Sequence, residues 1–157
     1  MKLFTLISLF LLSSIASADI SGTALIVDGD TITISGNKIR LNGIDTAEQN
    51  QTCKRAGITW RCGYEATETL RNWTYTKEVR CVGDTKDRYG GLIANCFVDG
   101  YNVNARLVYE GLALAYRKYS KQYVPEEDKA RAAKRGMWAG EFVAPWDWRE
   151  GKRLTSE

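Results

Sequence analysis

The chain has no histidine in 157 residues. That absence excludes the Ser-His-Asp and Cys-His hydrolases, zinc sites of the HExxH type and nucleases whose base is an imidazole. Proton transfer is left to carboxylates, tyrosine or lysine. Cysteine is scarce as well, and its four copies fall in two local pairs, Cys53 with Cys62 and Cys81 with Cys96. Neither pair has the close spacing of a zinc knuckle, so both are expected to be disulfides formed in an oxidising compartment. Long apolar runs are confined to the start. Lys2, the apolar stretch Leu3 to Leu12 and the small residues Ala16, Ser17 and Ala18 read as a secretory signal over residues 1–18, cut before Asp19. The run is too short for a comfortable membrane span. The protein is expected outside the cytoplasm, periplasmic or secreted, with no membrane attachment after cleavage. Charge of one sign is also lacking: removing Lys2 takes the formal net charge from +3 to +2, so any polyanionic partner must be recognised by local charge.

What is present centres on Asp28 to Glu48. Two β-branched segments, Thr31 to Ser35 and Lys38 to Ile44, alternate with polar residues around Gly36-Asn37, a tight-turn pair, and predict a hairpin. Pairing about that turn brings Asp30, before the first strand, back beside Asp45, after the second. Two such carboxylates suit a hard cation. Glu48 lies three residues beyond Asp45 and Arg40 sits on the second strand, so a metal site, a general base and an anion clamp are candidates within one unit. Asp-Gly is by itself the ordinary chemistry of a turn, and a lone carboxylate at a strand end is usually solvated. Arg40 and Asp45 also differ by an odd number, so Asp45 must lie past the regular strand or beyond a bulge.

The remaining chain fits one domain, residues 19–157. Ile20 to Val27 reads as a strand entering the turn, and Gln49 to Arg61 as a polar, irregular loop pinned by Cys53 and Cys62. Gly63 to Tyr75 has the periodicity of an amphipathic helix. Glu78 to Val82 and Leu92 to Val98 read as two further strands around a polar loop from Gly83 to Gly91. Asn102 or Asn104 caps a helix ended by Gly111, and Pro125 opens a last helix that carries Lys134 and Arg135 before Gly136. Trp138, Trp146 and Trp148 are expected to close the core and strap the tail. Five short strands with three helices suit an α+β fold built on a five-stranded Greek-key barrel of the OB type.

The ordered set DGDT, IRL, IDTAE, DRYGG and AYRKYS, spread from Gly22 to Trp138, resembles the staphylococcal nuclease (thermonuclease) family. The resemblance implies an OB barrel with three helices, a Ca2+ cofactor, and hydrolysis of DNA and RNA to 3′-phosphate ends by a monomer that prefers single strands. It implies Asp30, Asp45 and the carbonyl of Thr46 as metal ligands, with Asp28 in support. Glu48 becomes the general base and Arg40 the guanidinium that holds a phosphate oxygen. Arg88 and Tyr89 become contacts to a neighbouring phosphate, and Tyr116 a surface for base or sugar. Read from the residues alone, Tyr116, Tyr119 and Tyr123 are equally an aromatic stripe covering core, and Arg88 a solvated charge.

One departure matters. The family carries a second catalytic arginine after the D-x-Y-G step, and this chain has Gly91 there. A guanidinium at a phosphoryl transition state is worth roughly three to five powers of ten in rate, about 4 to 7 kcal/mol. Three readings follow: Arg88 or Lys86 folds back over Gly90-Gly91, the enzyme is slow, or the domain is a nucleic-acid-binding OB module with weak or no catalysis.

Overall fold

The computed structural model describes residues 17–155. The expected signal segment lies almost wholly outside the described residues. Strand β1 (Ala18–Ile26) leads into β2 (Thr31–Ile34) and β3 (Asn37–Leu41), antiparallel in turn. The β2–β3 connection is Ser35-Gly36 rather than Gly36-Asn37. Both residues have positive φ, 48° and 79°, as a two-residue turn matched to strand twist requires. Asn37 belongs to β3 and pairs with Ile34, while its side-chain amide donates to the carbonyls of Ile34 and Ser35. The glycine therefore takes the second central place, where its missing Cβ is most useful.

The expected strand Lys38 to Ile44 is broken. Leu41 ends β3, Asn42-Gly43 turn the chain with Gly43 at φ 72°, and β4 (Ile44–Thr46) starts afresh. That break answers the parity of Arg40 and Asp45, because the two belong to different strands. Gln49 to Arg61 is likewise no simple loop, since Cys53–Arg55 (β5) and Ile58–Trp60 (β6) form a small hairpin within it. Its apolar partners are too few for sequence periodicity to reveal it.

Helix α1 (Cys62–Thr74) buries Ala66 and Leu70 against the barrel, as its spacing predicts. Strand β7 (Glu78–Lys86) runs four residues past Val82 through an irregularity at Gly83 and Asp84, and β8 (Leu92–Val98) returns beside it. After β9 (Tyr101–Asn102), Asn102 caps α2 (Val103–Tyr109) by accepting from the Ala105 amide. Strand β10 (Ala113–Ala115) pairs with β4, and α3 (Val124–Ala132) begins at Pro125. Lys134 and Arg135 lie beyond that helix rather than in its last turn. A 3₁₀ turn (Gly136–Ala139) and a fourth short helix, α4 (Pro145–Arg149), complete the chain. The count of three helices thus missed α4, whose five residues are too short to show a period.

Five strands close into a mixed barrel in the order β3-β2-β1-β7-β8. Closure comes from a parallel pairing of β3 with β8 that sets Ile39 against Leu92, Arg40 against Ile93 and Leu41 against Ala94. Ile32, Ile34, Ile39, Leu41, Val79 and Val98 fill the interior. A second apolar cluster beneath the tail joins Ala47, Leu114 and Met137 to the Cys53–Cys62 bridge. Trp138 and Trp146 pack on this cluster, so both close core as expected. Among the described residues no helix is long and apolar enough to cross a membrane.

Both expected disulfides are present, Cys53–Cys62 spanning 9 residues and Cys81–Cys96 spanning 15 across β7 and β8. By restriction of the unfolded chain each contributes about 3 kcal/mol. Replacing Cys81 and Cys96 by serine should lower the unfolding free energy by about that amount, as read by equilibrium denaturation, and leave the cleft beside Arg40 intact. Replacing Cys53 and Cys62 should in addition loosen the loop that carries Glu48.

Candidate active site

The mouth of the barrel is built where β2, β3 and β4 meet. Thr31 pairs with Arg40, so Asp30 sits one residue before the ladder, beside the guanidinium. Its carboxylate is held from two sides: Oδ1 accepts from the Thr31 hydroxyl at 3.2 Å and Oδ2 from the Thr46 amide at 3.2 Å. Asp28 Oδ1 accepts from the Asp30 amide at 3.1 Å and so shapes the turn. Gly29 is needed there, since a Cβ would lie 2.6 Å from the Thr46 hydroxyl. Asp45 is fully buried on β4, opposite Leu114 of β10. One nitrogen of Arg40, Nη2, stands 3.7 Å from Asp30 Oδ2 and 3.9 Å from Asp45 Oδ1, so the two carboxylates converge on a single guanidinium.

Burial is expensive for a carboxylate that has no close charged hydrogen-bond partner. Removal from water pushes the Asp30 carboxyl up to about 7, against a partial lowering by Arg40 and with Asp28 and Asp45 adding repulsion. Asp45 is answered differently. Arg149, at the end of α4, donates from Nη1 to Asp45 Oδ1 at 2.9 Å and from Nη2 to Asp45 Oδ2 at 2.7 Å, and Nη1 also reaches Glu48 Oε1 at 2.7 Å. The Asp45 hydrogen bonds, followed by those to Glu48, hold the Arg149 guanidinium well above its ordinary value. Arg149 was invisible to sequence reasoning, because an arginine in a charged, tryptophan-rich tail looks solvated and 104 residues separate it from Asp45.

Glu48 is placed by backbone rather than by a helix or strand. Its amide donates to Gln51 Oε1 at 3.1 Å, and the Gln51 amide donates back to the Glu48 carbonyl at 2.7 Å. Gln51 is wholly buried and its Nε2 donates to the Val143 carbonyl at 2.7 Å, tying the loop to the tail. Gly63, in the first turn of α1, completes the seat: a Cβ there would lie 1.6 Å from the Glu48 carbonyl oxygen. Gln51 is a second residue that sequence reasoning missed, one polar residue within a polar stretch.

Asp30, Arg40, Thr46, Glu48 and Arg149 face a cleft of about 1130 Å³, whose other wall carries Lys86, Asp87, Arg88, Tyr89, Tyr116 and Tyr119. Arg88 lies over the Tyr89 ring at 4.8 Å and, like Lys86, makes no ion pair with Asp30, Asp45 or Glu48 among the described residues. Folding back of Arg88 or Lys86 over Gly91 is therefore not what the structure has. Asp87 Oδ1 instead accepts from the Tyr89 and Gly91 amides at 2.8 and 2.9 Å, and a Cβ on Gly91 would meet its Oδ2 at 2.9 Å, so the turn is closed on itself. The tyrosine stripe divides. Tyr123 is core, its hydroxyl donating to Asn95 at 2.9 Å, whereas Tyr119 is exposed. Tyr116 is half-buried, stacked on Trp146 at 5.5 Å and packed edge-to-face with Tyr119 at 4.8 Å, and it lines the cleft.

No group of three or more Asp, Glu, Cys or His side chains is gathered among the described residues. A cation here would rest on two carboxylates, Asp30 and Asp45, completed by the Thr46 carbonyl and water. Oxygen donors alone, one of them a buried carboxyl with no charged hydrogen-bond donor, are the chemistry of a hard divalent ion. The donor set fits.

Without metal, neutral Asp30 suits its surroundings and ionised Asp30 does not. Its folded value of about 7 lies above the ordinary 3.8, so the stability it confers is complete below pH ~4 and is lost as pH rises through about 7. In chelator, Asp30→Asn should match the wild-type melting temperature near pH 4 and exceed it near pH 8, and equal melting curves at both would contradict the burial argument. Gly63→Ala should cost about 1–3 kcal/mol by overpacking and displace Glu48, checked by unfolding and by activity together.

Residues 38–140 match the family model described as "Staphylococcal nuclease homologue". The chain is 34% identical to the succinoglycan biosynthesis protein ExoI of Rhizobium meliloti over 78% of its own length and 66% of that protein's. It is 33% identical to an uncharacterized endonuclease of Haemophilus influenzae, over 83% of this chain and 72% of the other. It is 31% identical to the micrococcal nuclease of Shigella flexneri, over 88% and 85%. Barrel topology and sequence likeness agree: the chain belongs to the staphylococcal nuclease family.

Proposed function

We propose that this member of a nuclease family is a Ca2+-dependent endonuclease that hydrolyses DNA and RNA, preferring single strands, and leaves 3′-phosphate ends. The observation that carries the reading is the convergence of Asp30, Asp45, Arg40 and Glu48 at one mouth of the barrel, with Asp30, Arg40 and Glu48 lining a cleft of about 1130 Å³. Bound Ca2+ would supply fixed positive charge against the non-bridging oxygens of the phosphate, held by Asp30, Asp45 and the Thr46 carbonyl with Asp28 in support.

The chain's own residues account for the rest. Glu48, partly exposed on a loop clamped by Gln51, orients a water and takes its proton as the oxygen attacks phosphorus. Arg40 holds a phosphate oxygen as charge accumulates there. The P–O5′ bond breaks opposite the attack, O5′ leaves and takes up a proton, and the phosphate stays on the 3′ side. Arg88 and Tyr89 meet a neighbouring phosphate, while Tyr116, at the wall of the cleft, supports a base or sugar. Exposed rings need unstacked bases, which favours single strands. Two disulfides suit an oxidising compartment, and we propose a protein working as a monomer in the periplasm or outside the cell after removal of residues 1–18.

Chelation should abolish cutting of a labelled single-stranded oligonucleotide and added Ca2+ should restore it. Glu48→Gln should lower kcat by about 10²–10⁴-fold with little change in affinity, and undiminished cutting by that variant removes Glu48 from its role. The side-chain-free Gly91 favours one alternative, a module that binds without cutting. A salt-sensitive complex with no turnover at any Ca2+ concentration would establish it.

A further inference from the structure

Arg149 is unusual among the cations of the cleft. Its planar fork matches the Asp45 carboxylate oxygen for oxygen, and the same guanidinium also reaches Glu48. Asp45 thus lies between two arginines, with Arg40 3.9 Å from Oδ1. Arg149 remains 38% exposed while Asp45 has no exposure at all, so the arginine is the lid over the carboxylate and faces the cleft.

We propose, on the nuclease reading above, that Arg149 is the second phosphate-holding arginine of this site, and that its grip on Asp45 is a parked position. A divalent cation on Asp45 displaces the guanidinium by like-charge repulsion and by taking its oxygens. The freed fork is then beside Glu48 and opposite Arg40, where a phosphate held by both arginines would lie. Such a fork is suited to two phosphate oxygens at once, which a lysine cannot copy.

The construction of α4 supports this placement. Pro145 is buried at its start, Trp146 stacks on Tyr116 with the planes 4° apart, and the Lys152 amide closes the end on the Asp147 carbonyl at 3.0 Å. The helix is fixed by contacts other than Arg149, so the side chain can leave Asp45 while its base stays in place. Apart from Arg40, no other basic side chain of the cleft pairs with these carboxylates among the described residues, and Gly91 has no side chain to offer. Arg149 lies outside the family match at 38–140, so the match itself assigns it nothing.

The test uses full-length protein with Arg149→Ala, Arg149→Gln and Arg149→Lys, measuring Ca2+ affinity by calorimetry without nucleic acid and kcat on a single-stranded oligonucleotide at saturating Ca2+. The parked arm predicts that Arg149→Ala and Arg149→Gln bind Ca2+ at least about tenfold more tightly yet cut about 10³-fold or more slowly. Arg149→Lys should recover part of the rate. If alanine unfolds the protein, glutamine carries both readings and lysine the partial recovery of rate. Weaker Ca2+ binding in the neutral variants would make Arg149 a mere support for Asp45 and overturn the proposal. Cutting that is unchanged or faster would make it a latch and overturn the arm alone. A wild type that binds Ca2+ and never cuts would overturn the nuclease reading, and the arm with it.

Discussion

Two carboxylates buried at the mouth of a small barrel are the constraint on which the rest of this structure depends. Burying Asp30 and Asp45 opposes folding unless positive charge or donors answer them, and the answers come from three separate elements. Arg40 arrives on β3, the Thr46 amide on β4, and Arg149 on α4. The parallel closure of β3 on β8 fixes Arg40, and the pairing of β4 with β10 fixes Asp45. The barrel is thus a frame that holds like charges close together with too little compensation on one of them. That is the physical opening for a cation.

The second layer of the site is backbone and glutamine rather than charge. Gln51 trades hydrogen bonds with Glu48 in both directions and a third with Val143, so a loop without regular structure is held rigid. Gly63 lets α1 approach that loop closely enough to fix it, and Cys53–Cys62 staples the same neighbourhood. The tail closes the arrangement through Trp146 and Arg149. Residues near the two ends of the chain therefore meet at one mouth, which couples the order of the C-terminal helix to the state of the acidic site.

Much of this was legible in the sequence because it was local. The hairpin follows from alternation around a turn, the barrel from five short strands, and both disulfides from cysteines that lie within fifteen residues of each other. Hairpin logic alone brings Asp30 and Asp45 together, although the turn at Ser35-Gly36 falls one residue before the expected pair and the break at Asn42-Gly43 is one of two explanations that the parity of Arg40 and Asp45 allows. Arg149 and Gln51 were not legible. Each acts through a partner far along the chain or through its amide, and neither has a period, a spacing or a charge pattern that singles it out. The hairpin β5–β6 and helix α4 escaped for a related reason: three to five residues are too few to carry periodicity.

The central claim is that Asp30 and Asp45 form one binding site for a divalent cation, and it is tested most directly by the melting temperature of the full chain titrated with Ca2+. Ligand bound only by the folded state stabilises it by about 2.7 kcal/mol at a hundredfold excess over Kd, so the wild type should melt at steadily higher temperature as Ca2+ rises. Asp45→Asn should show no such dependence. A wild type whose melting temperature ignores Ca2+ across the millimolar range, or a variant that responds equally, would contradict the account.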